Sequence, residues 1–97
     1  MVTCVSLMNF TDQGLRTIKD SPKRAAAAAE AAKKFGVTMR EIVWTQGQYD
    51  IVCILDGPDE QAISAFTLAV AGQGNVRGQT LRAVSKDEMG VILGKLP

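Results

Sequence analysis

The sequence predicts an α+β fold in which two helices cover one face of a four-stranded antiparallel sheet. Three observations predict this fold class. The 97 residues, 46% hydrophobic and 22% charged, have the length and composition of one globular domain over residues 1–97. Four segments are rich in β-branched and other apolar residues, and two segments between them have helical composition and helix caps. The resulting order is β-α-β-β-α-β, followed by a short C-terminal helix.

The first third of the chain is predicted to form a strand, a short helix and a long helix. Residues 2–9 alternate loosely between apolar and polar side chains, as in a strand. Thr11 can cap the short helix through its hydroxyl. Ser21 and Pro22 fit the N-cap and the first position of the long, alanine-rich helix. Gly36 ends that helix in the left-handed backbone conformation.

Residues 37–45 and 49–56 are predicted to pair as a β-hairpin around a glycine turn. The turn leaves two registers open. A two-residue turn places Trp44 opposite Tyr49, where the two rings would stack across the strands. A three-residue turn shifts the pairing by one residue and places Trp44 opposite Asp50.

The last third of the chain is predicted to form a helix, a strand and a terminal helix. Pro58 falls in the first turn of the helix, and four side chains at helical spacing form its apolar face. These are Ile63, Phe66, Thr67 and Val70. Residues 76–84 form a more polar strand, which we expect at an edge of the sheet. Ser85 and Glu88 have the spacing of a capping box for the terminal helix.

This order of elements is the ferredoxin-like plan, in which the helices cover one sheet face only. The other face must then be polar or covered by something else. Residues 51–55 are apolar at every position, whereas an antiparallel strand with one solvated face should alternate. We therefore expect a homodimer, or a higher homo-oligomer, formed by sheet-to-sheet packing.

Composition excludes several classes of function. The chain has no histidine, which removes serine–histidine and cysteine–histidine catalysis and every histidine-containing metal site. There is no CxxC motif, so we expect no metal site. We expect Cys4 and Cys53 to be buried, reduced thiols, with a disulfide as the alternative. We also expect no cofactor, since a haem would need cysteine, methionine or tyrosine as its ligand. The net charge of +1 gives no drive toward nucleic acid or a membrane surface. No segment has the pattern of a membrane span or of a signal peptide, so we expect a cytoplasmic protein.

Several blocks of the chain resemble the GYD-domain family, and together they span nearly its whole length. The blocks are VSLMNFTDQG at residues 5–14, DSPKR at 20–24, WTQGQYD at 44–50, GNVR at 74–77 and TLRA at 80–83. In this chain Gln48 separates Gly47 from Tyr49, so the three letters of the motif are not contiguous. The resemblance implies a small bacterial protein of the dimeric α/β-barrel group. That group contains cofactor-free oxygenases, isomerases, haem proteins and regulatory ligand-binding domains, so the resemblance implies no particular reaction.

Asp50 and Tyr49 are the candidate catalytic residues. Asp50 begins an apolar strand, where aspartate is disfavoured, so a backbone N–H, an arginine or a partner subunit must compensate its charge. The arginines available for this are Arg40, Arg77 and Arg82. A structural hydrogen bond or salt bridge is one interpretation of Asp50, and a general base or ligand anchor is the other.

The candidate ligand-binding residues are two aromatic and two basic side chains, Trp44, Tyr49, Arg77 and Arg82. The two rings either form the wall of a ligand pocket or stabilise the hairpin and a dimer interface. The arginines occupy positions of opposite parity on the last strand, so they should point to opposite faces. One of them could then bind a carboxylate or phosphate.

Three functions remain open from the sequence. The preferred hypothesis is a homo-oligomeric binding or regulatory module for a small organic ligand, held between sheet and helices or inside the dimer. The first alternative is a cofactor-free isomerase or oxygenase that uses Asp50 or Tyr49; whether the chain is an enzyme is left open. The second alternative is a purely structural assembly domain. A cavity with convergent polar groups favours the first two, and a filled interior favours the third.

Overall fold

The computed structural model describes all residues from 1 to 97 and confirms the predicted α+β, ferredoxin-like order with an additional C-terminal helix. A short 3-10 turn at Ile18–Asp20 separates the first two α-helices. The strands are β1 Val2–Phe10, β2 Thr38–Trp44, β3 Ile51–Gly57 and β4 Val76–Ala83, and the helices are α1 Asp12–Arg16, α2 Ser21–Lys33, α3 Glu60–Gly72 and α4 Lys86–Leu93.

The four strands form one antiparallel sheet in the order β2-β3-β1-β4. The two most apolar strands, β1 and β3, are therefore central, and β4 lies at an edge as its polar sequence predicts. The helices α2 and α3 pack against one face of this sheet. The main core lies between them and the sheet, and its fully buried side chains include Leu55, Ile63 and Val37.

Strand β3 carries apolar side chains on both faces of the sheet. Ile51, Cys53 and Leu55 are buried beneath the helices, whereas Val52 and Ile54 point the other way and are half-buried. We call the side without helices the open face. Cross-strand pairing places six apolar side chains together on it: Val5, Leu7, Val43, Val52, Ile54 and Leu81.

The hairpin has a register that differs from both predicted ones. Trp44 pairs with Ile51, and the backbone N–H of Thr45 donates to the carbonyl of Asp50 at 2.8 Å. The Thr45 hydroxyl also donates to the carbonyl of Tyr49 at 2.6 Å. These two bonds close a four-residue loop over residues 46–49, longer than either turn considered. The expected stacking of Trp44 on Tyr49 is wrong, because the longer loop sends the two rings to opposite sides of the sheet.

Side-chain caps form at three helix starts, and two predicted positions are displaced: Pro58 precedes α3 and its Asp59 cap, and Ser21 lies inside α2. The Thr11, Asp59 and Ser85 oxygens each accept from a backbone N–H in the first turn of α1, α3 and α4, and Ser85 forms the expected capping box. Helix α2 instead begins at Ser21, with Asp20 in the N-cap position and no side-chain cap. Ser21 lies inside the helix because the 3-10 turn Ile18–Asp20 runs directly into α2, and its hydroxyl accepts a hydrogen bond from Trp44 instead of capping the helix.

Helix α4 lies apart from the main core. None of its residues is buried, and its principal tie to the rest of the chain is the 3.7 Å ion pair between Arg82 and Glu88. Its exposed apolar side chains include Met89, Ile92 and Leu93. No helix of the chain has both the length and the apolar character needed to cross a membrane.

Candidate functional site

A cavity of about 180 Å³ lies between α2, α3 and the covered face of the sheet. Thirteen of its 22 lining residues are hydrophobic, so most of its wall offers contacts to an apolar molecule. The alanine-rich sequence of α2 contributes to this space, because Ala25 and Ala28 leave room that larger side chains would fill. Phe66 and Val70 form part of the opposite wall on α3.

The sheet contributes a small polar patch to the floor of this cavity. The hydroxyls of Ser6 on β1 and Thr80 on β4 lie 3.4 Å apart, across a directly paired position of the two strands. Ser6 is 3% exposed and also hydrogen-bonds the thiol of Cys53. Burial raises the pKa of Cys53, and the hydrogen bond from Ser6 offsets this only in part. The thiol is therefore protonated near neutral pH.

Arg24 supplies a positive charge to the wall. Its Nη1 atom donates to the carbonyl of Thr17 at 3.0 Å and to the hydroxyl of the same residue at 2.9 Å. Its Nη2 atom donates to the carbonyl of Gly14 at 3.3 Å. All three acceptors are neutral, and no carboxylate pairs with this guanidinium. Its position is held by α1 and the following turn while its charge stays uncompensated.

Trp44 does not line the cavity but hydrogen-bonds a residue that does. Its indole Nε1 donates to the hydroxyl of Ser21 at 2.9 Å, and Ser21, which is 5% exposed, lines the cavity. The ring itself is 45% exposed at the edge of the sheet. Trp44 is thus on the same side as the cavity, as a neighbour of one lining residue.

The charge of Asp50 is compensated by a backbone N–H, which is one of the three kinds of partner predicted for it. Its Oδ2 atom accepts from the backbone N–H of Phe10 at 2.9 Å, and its own N–H donates to the carbonyl of Met8 at the same distance. None of the arginines considered forms a salt bridge with it. The carboxylate therefore continues the β1–β3 ladder one step beyond its last backbone pair.

Tyr49 lies over the open face, remote from the cavity. Its hydroxyl accepts a hydrogen bond from Nε2 of Gln79 at 2.8 Å, and Gln79 occupies an open-face position on β4. The Tyr49 side chain consequently spans from the hairpin loop to the far edge strand. The structure therefore places Tyr49 on the opposite side of the sheet from Trp44. The Tyr49 hydroxyl and the Asp50 carboxylate also bind different partners.

The two arginines on β4 occupy positions on opposite faces, as predicted. Arg82 makes ion pairs with Glu60 at 3.5 Å and with Glu88 at 3.7 Å, which ties β4 to α3 and α4. It also donates to the carbonyl of Thr3 at 3.2 Å. Arg77 is exposed, has no ion-pair partner and occupies an open-face register position opposite Asn9, but it is also among the residues that line the cavity.

Among the candidate residues, sequence reasoning identified Arg77 in the cavity lining, and it missed the polar groups on which the site depends: Ser6, Arg24 and Thr80. A signal for two of them was present, since Ser6 and Thr80 are polar residues on the strand face that carries Cys4 and Cys53. Arg24 belongs to an alanine-rich helix with neighbouring basic residues, a pattern typical of a solvated helix face, and nothing in the sequence shows that α1 and its turn would fold back to hold it.

Comparison with known proteins gives a match to a family model. The family model of the GYD domain matches residues 4–93 of the chain. No significant match was found among curated proteins or among solved structures. The matched segment begins on β1 and ends with α4, so it includes every strand and helix that builds the cavity. The chain belongs to the GYD-domain family.

Proposed function

We propose that the protein is a homodimeric binding module that holds one small organic molecule in the cavity of each subunit. The observation that carries this proposal is the cavity itself, with about 180 Å³ of space, apolar walls and polar groups at Ser6, Thr80 and Arg24. An apolar cavity of about 150 Å³ is large enough to bind benzene. A molecule built on a single ring is therefore a suitable size.

The cavity supports a binding function over a purely structural one. The cavity is a cleft that opens to solvent beside α3 and β4, where Leu68, Arg77 and Thr80 are exposed. Well-packed domains leave few such spaces between a helix layer and a sheet. A gap that also gathers hydroxyl groups and a guanidinium has the composition of a ligand site.

The open face supports the dimer. Its strands are about 4.8 Å apart and about eight residues long, which gives roughly 500 Å² per subunit. Two such faces in contact approach the roughly 1,000 Å² that a specific interface needs. A second copy presents the same apolar surface, so two-fold packing would cover Val52, Ile54 and their neighbours on both subunits at once.

No observation specifically favours the enzymatic alternative. The Asp50 carboxylate accepts the Phe10 N–H, and the Tyr49 hydroxyl accepts from Gln79. Neither Asp50 nor Tyr49 lines the cavity. Proton transfer by either group would need a second ligand site on the open face.

Ligand binding can be tested with benzyl alcohol as the probe, followed by heteronuclear NMR of the full chain. We expect saturable shifts at the amides of Ser6, Ala25 and Thr80, with a Kd in the millimolar range or tighter. Ala25→Leu should abolish them by filling the cavity. Ala26→Leu is the matched control, since Ala26 is exposed on the same helix and does not line the cavity. Absent shifts, or equal shifts in both variants, would contradict the proposal.

Dimerisation can be tested by sedimentation at micromolar concentration. The unmodified chain should sediment as a dimer, and Ile54→Lys should sediment as a folded monomer because it places a charge at the centre of the open face. Ile18→Lys is the control, since Ile18 is 46% exposed on the 3-10 turn, away from the sheet. A monomeric unmodified chain would overturn this part of the proposal.

A further inference from the structure

We propose that the ligand of this cavity is a small organic carboxylate whose anionic group faces Arg24 and whose apolar body fills the space toward the sheet. This inference rests on the proposed binding function and assigns the chemical class of the ligand. The observation behind it is the guanidinium of Arg24, which lies in the cavity wall and pairs with no carboxylate of the chain.

The charge of the lining has one sign. Among its 22 residues the only formally charged ones are Arg24 and Arg77, and there is no aspartate or glutamate. Arg77 occupies an open-face position in the register, so the proposal relies on Arg24 alone. Arg24 is half-buried, so solvent screens part of its charge, and the apolar walls strengthen its attraction for an anion relative to a fully solvated guanidinium.

The hydrogen bonds of Arg24 prepare it for this role. Three N–H groups of the guanidinium are engaged by neutral oxygens of Thr17 and Gly14. An arginine side chain has five N–H donors, so two remain for a ligand. Because the side chain is already held in place, an incoming carboxylate loses less binding free energy to side-chain ordering.

The floor of the cavity adds a second polar contact. The Ser6 and Thr80 oxygens are 3.4 Å apart, beyond the usual 2.5–3.0 Å of a hydroxyl–hydroxyl hydrogen bond. This weak contact leaves the Thr80 hydroxyl free to bond a polar substituent of the ligand, whereas the Ser6 hydroxyl also bonds the Cys53 thiol. The site thus suits a ring-sized carboxylate, with or without one hydroxyl or carbonyl group.

The test compares three probes of nearly equal size and shape: benzoate, benzyl alcohol and benzylamine. NMR titration of the full chain should give the tightest binding for benzoate and the weakest for benzylamine. Arg24→Gln should weaken benzoate at least about tenfold, since a charge-assisted hydrogen bond is stronger than a neutral one, and should leave benzyl alcohol unchanged. Arg16→Gln is the control, because Arg16 is exposed and does not line the cavity.

Salt dependence of the unmodified chain provides a second measurement that needs no variant to fold. Benzoate binding should weaken as sodium chloride rises from 0.02 to about 0.5 M, whereas benzyl alcohol binding should not. If benzyl alcohol binds as tightly as benzoate, or if Arg24→Gln affects both equally, the carboxylate assignment is overturned and the binding function stands. If none of the three probes binds, the proposed function fails as well.

Discussion

The carboxylate of Asp50 accepts a hydrogen bond from the backbone N–H of Phe10 at 2.9 Å and so joins the start of β3 to the end of β1. In a regular antiparallel ladder a backbone carbonyl would accept from this N–H. Here the chain of Asp50 has already turned into the hairpin loop, where its carbonyl accepts from Thr45. The side chain replaces the missing acceptor.

Replacing Asp50 should therefore reduce stability. Asp50→Ala leaves the half-buried Phe10 N–H without its acceptor, and we expect a loss of about 1–3 kcal/mol in the free energy of unfolding. Asp50→Asn should lose less, because the amide oxygen can still accept. Urea unfolding measures both, with Asp20→Ala as a control that should change stability by less than about 0.5 kcal/mol. Equal stability of Asp50→Ala and the unmodified chain would contradict a structural role.

Gly14 should resist substitution although it lies in a helix. A Cβ added there would overlap the carbonyl oxygen of Asn75, an oxygen that also accepts from the backbone N–H of Thr11. Gly14→Ala must push β4 and α1 apart, so we expect a loss of at least about 2 kcal/mol. Gly90→Ala is the matched helical control, with nothing within 4 Å of its added Cβ. Gly90→Ala should leave stability equal or slightly higher, and a similar loss in both variants would refute the packing argument.

The buried thiols predict a loss of stability at alkaline pH. Burial raises the pKa of both Cys4 and Cys53 above the ordinary value of a thiol. The folded chain therefore keeps these protons at pH values where the unfolded chain releases them, and the free energy of unfolding must fall as pH rises above about 8.5. Below that pH their contribution is fully present.

Urea unfolding between pH 7 and 10 measures this dependence. Cys53→Ala should show a shallower decline than the unmodified chain, although its stability at pH 7 is lower because a buried side chain has been shortened. Parallel pH profiles for the two proteins would show that the Cys53 thiol does not titrate differently in the folded and unfolded states.

Helix α4 should be dispensable for folding. It buries none of its residues, and the Arg82–Glu88 ion pair is between partly exposed side chains, which contributes at most about 1 kcal/mol. A chain ending at Val84 should keep its sheet and form the proposed dimer, with a change in unfolding free energy of no more than about 1 kcal/mol. Circular dichroism and sedimentation test this, and loss of the dimer on truncation would assign α4 to the interface.

The fold was largely predictable from local rules. Periodicity and caps placed every strand and helix to within a few residues, and the apolar run in β3 correctly indicated a sheet with two apolar faces. The hairpin register was not predictable, because it depends on Thr45 making two hydrogen bonds across the loop. A short glycine-containing sequence is compatible with several loop lengths, and tertiary pairing selects among them.

The site was less predictable than the fold. Alternation along a strand predicted that Arg77 and Arg82 lie on opposite faces of the sheet. It did not predict that Arg82 forms ion pairs with Glu60 and Glu88. The cavity depends on the spacing between α2 and α3, which local sequence patterns do not encode. Arg24 enters the cavity wall because α1 folds back to hold it, a relationship between segments that only the tertiary structure reveals.

The central claim is that each subunit of a homodimer binds a small carboxylate beside Arg24. The most direct test is a crystal structure of the full chain grown with benzoate. We predict two copies packed through their open faces, with benzoate in each cavity and its carboxylate within hydrogen-bond distance of the Arg24 guanidinium. Cavities filled by side chains or by water alone, together with a solvent-exposed open face, would contradict the account.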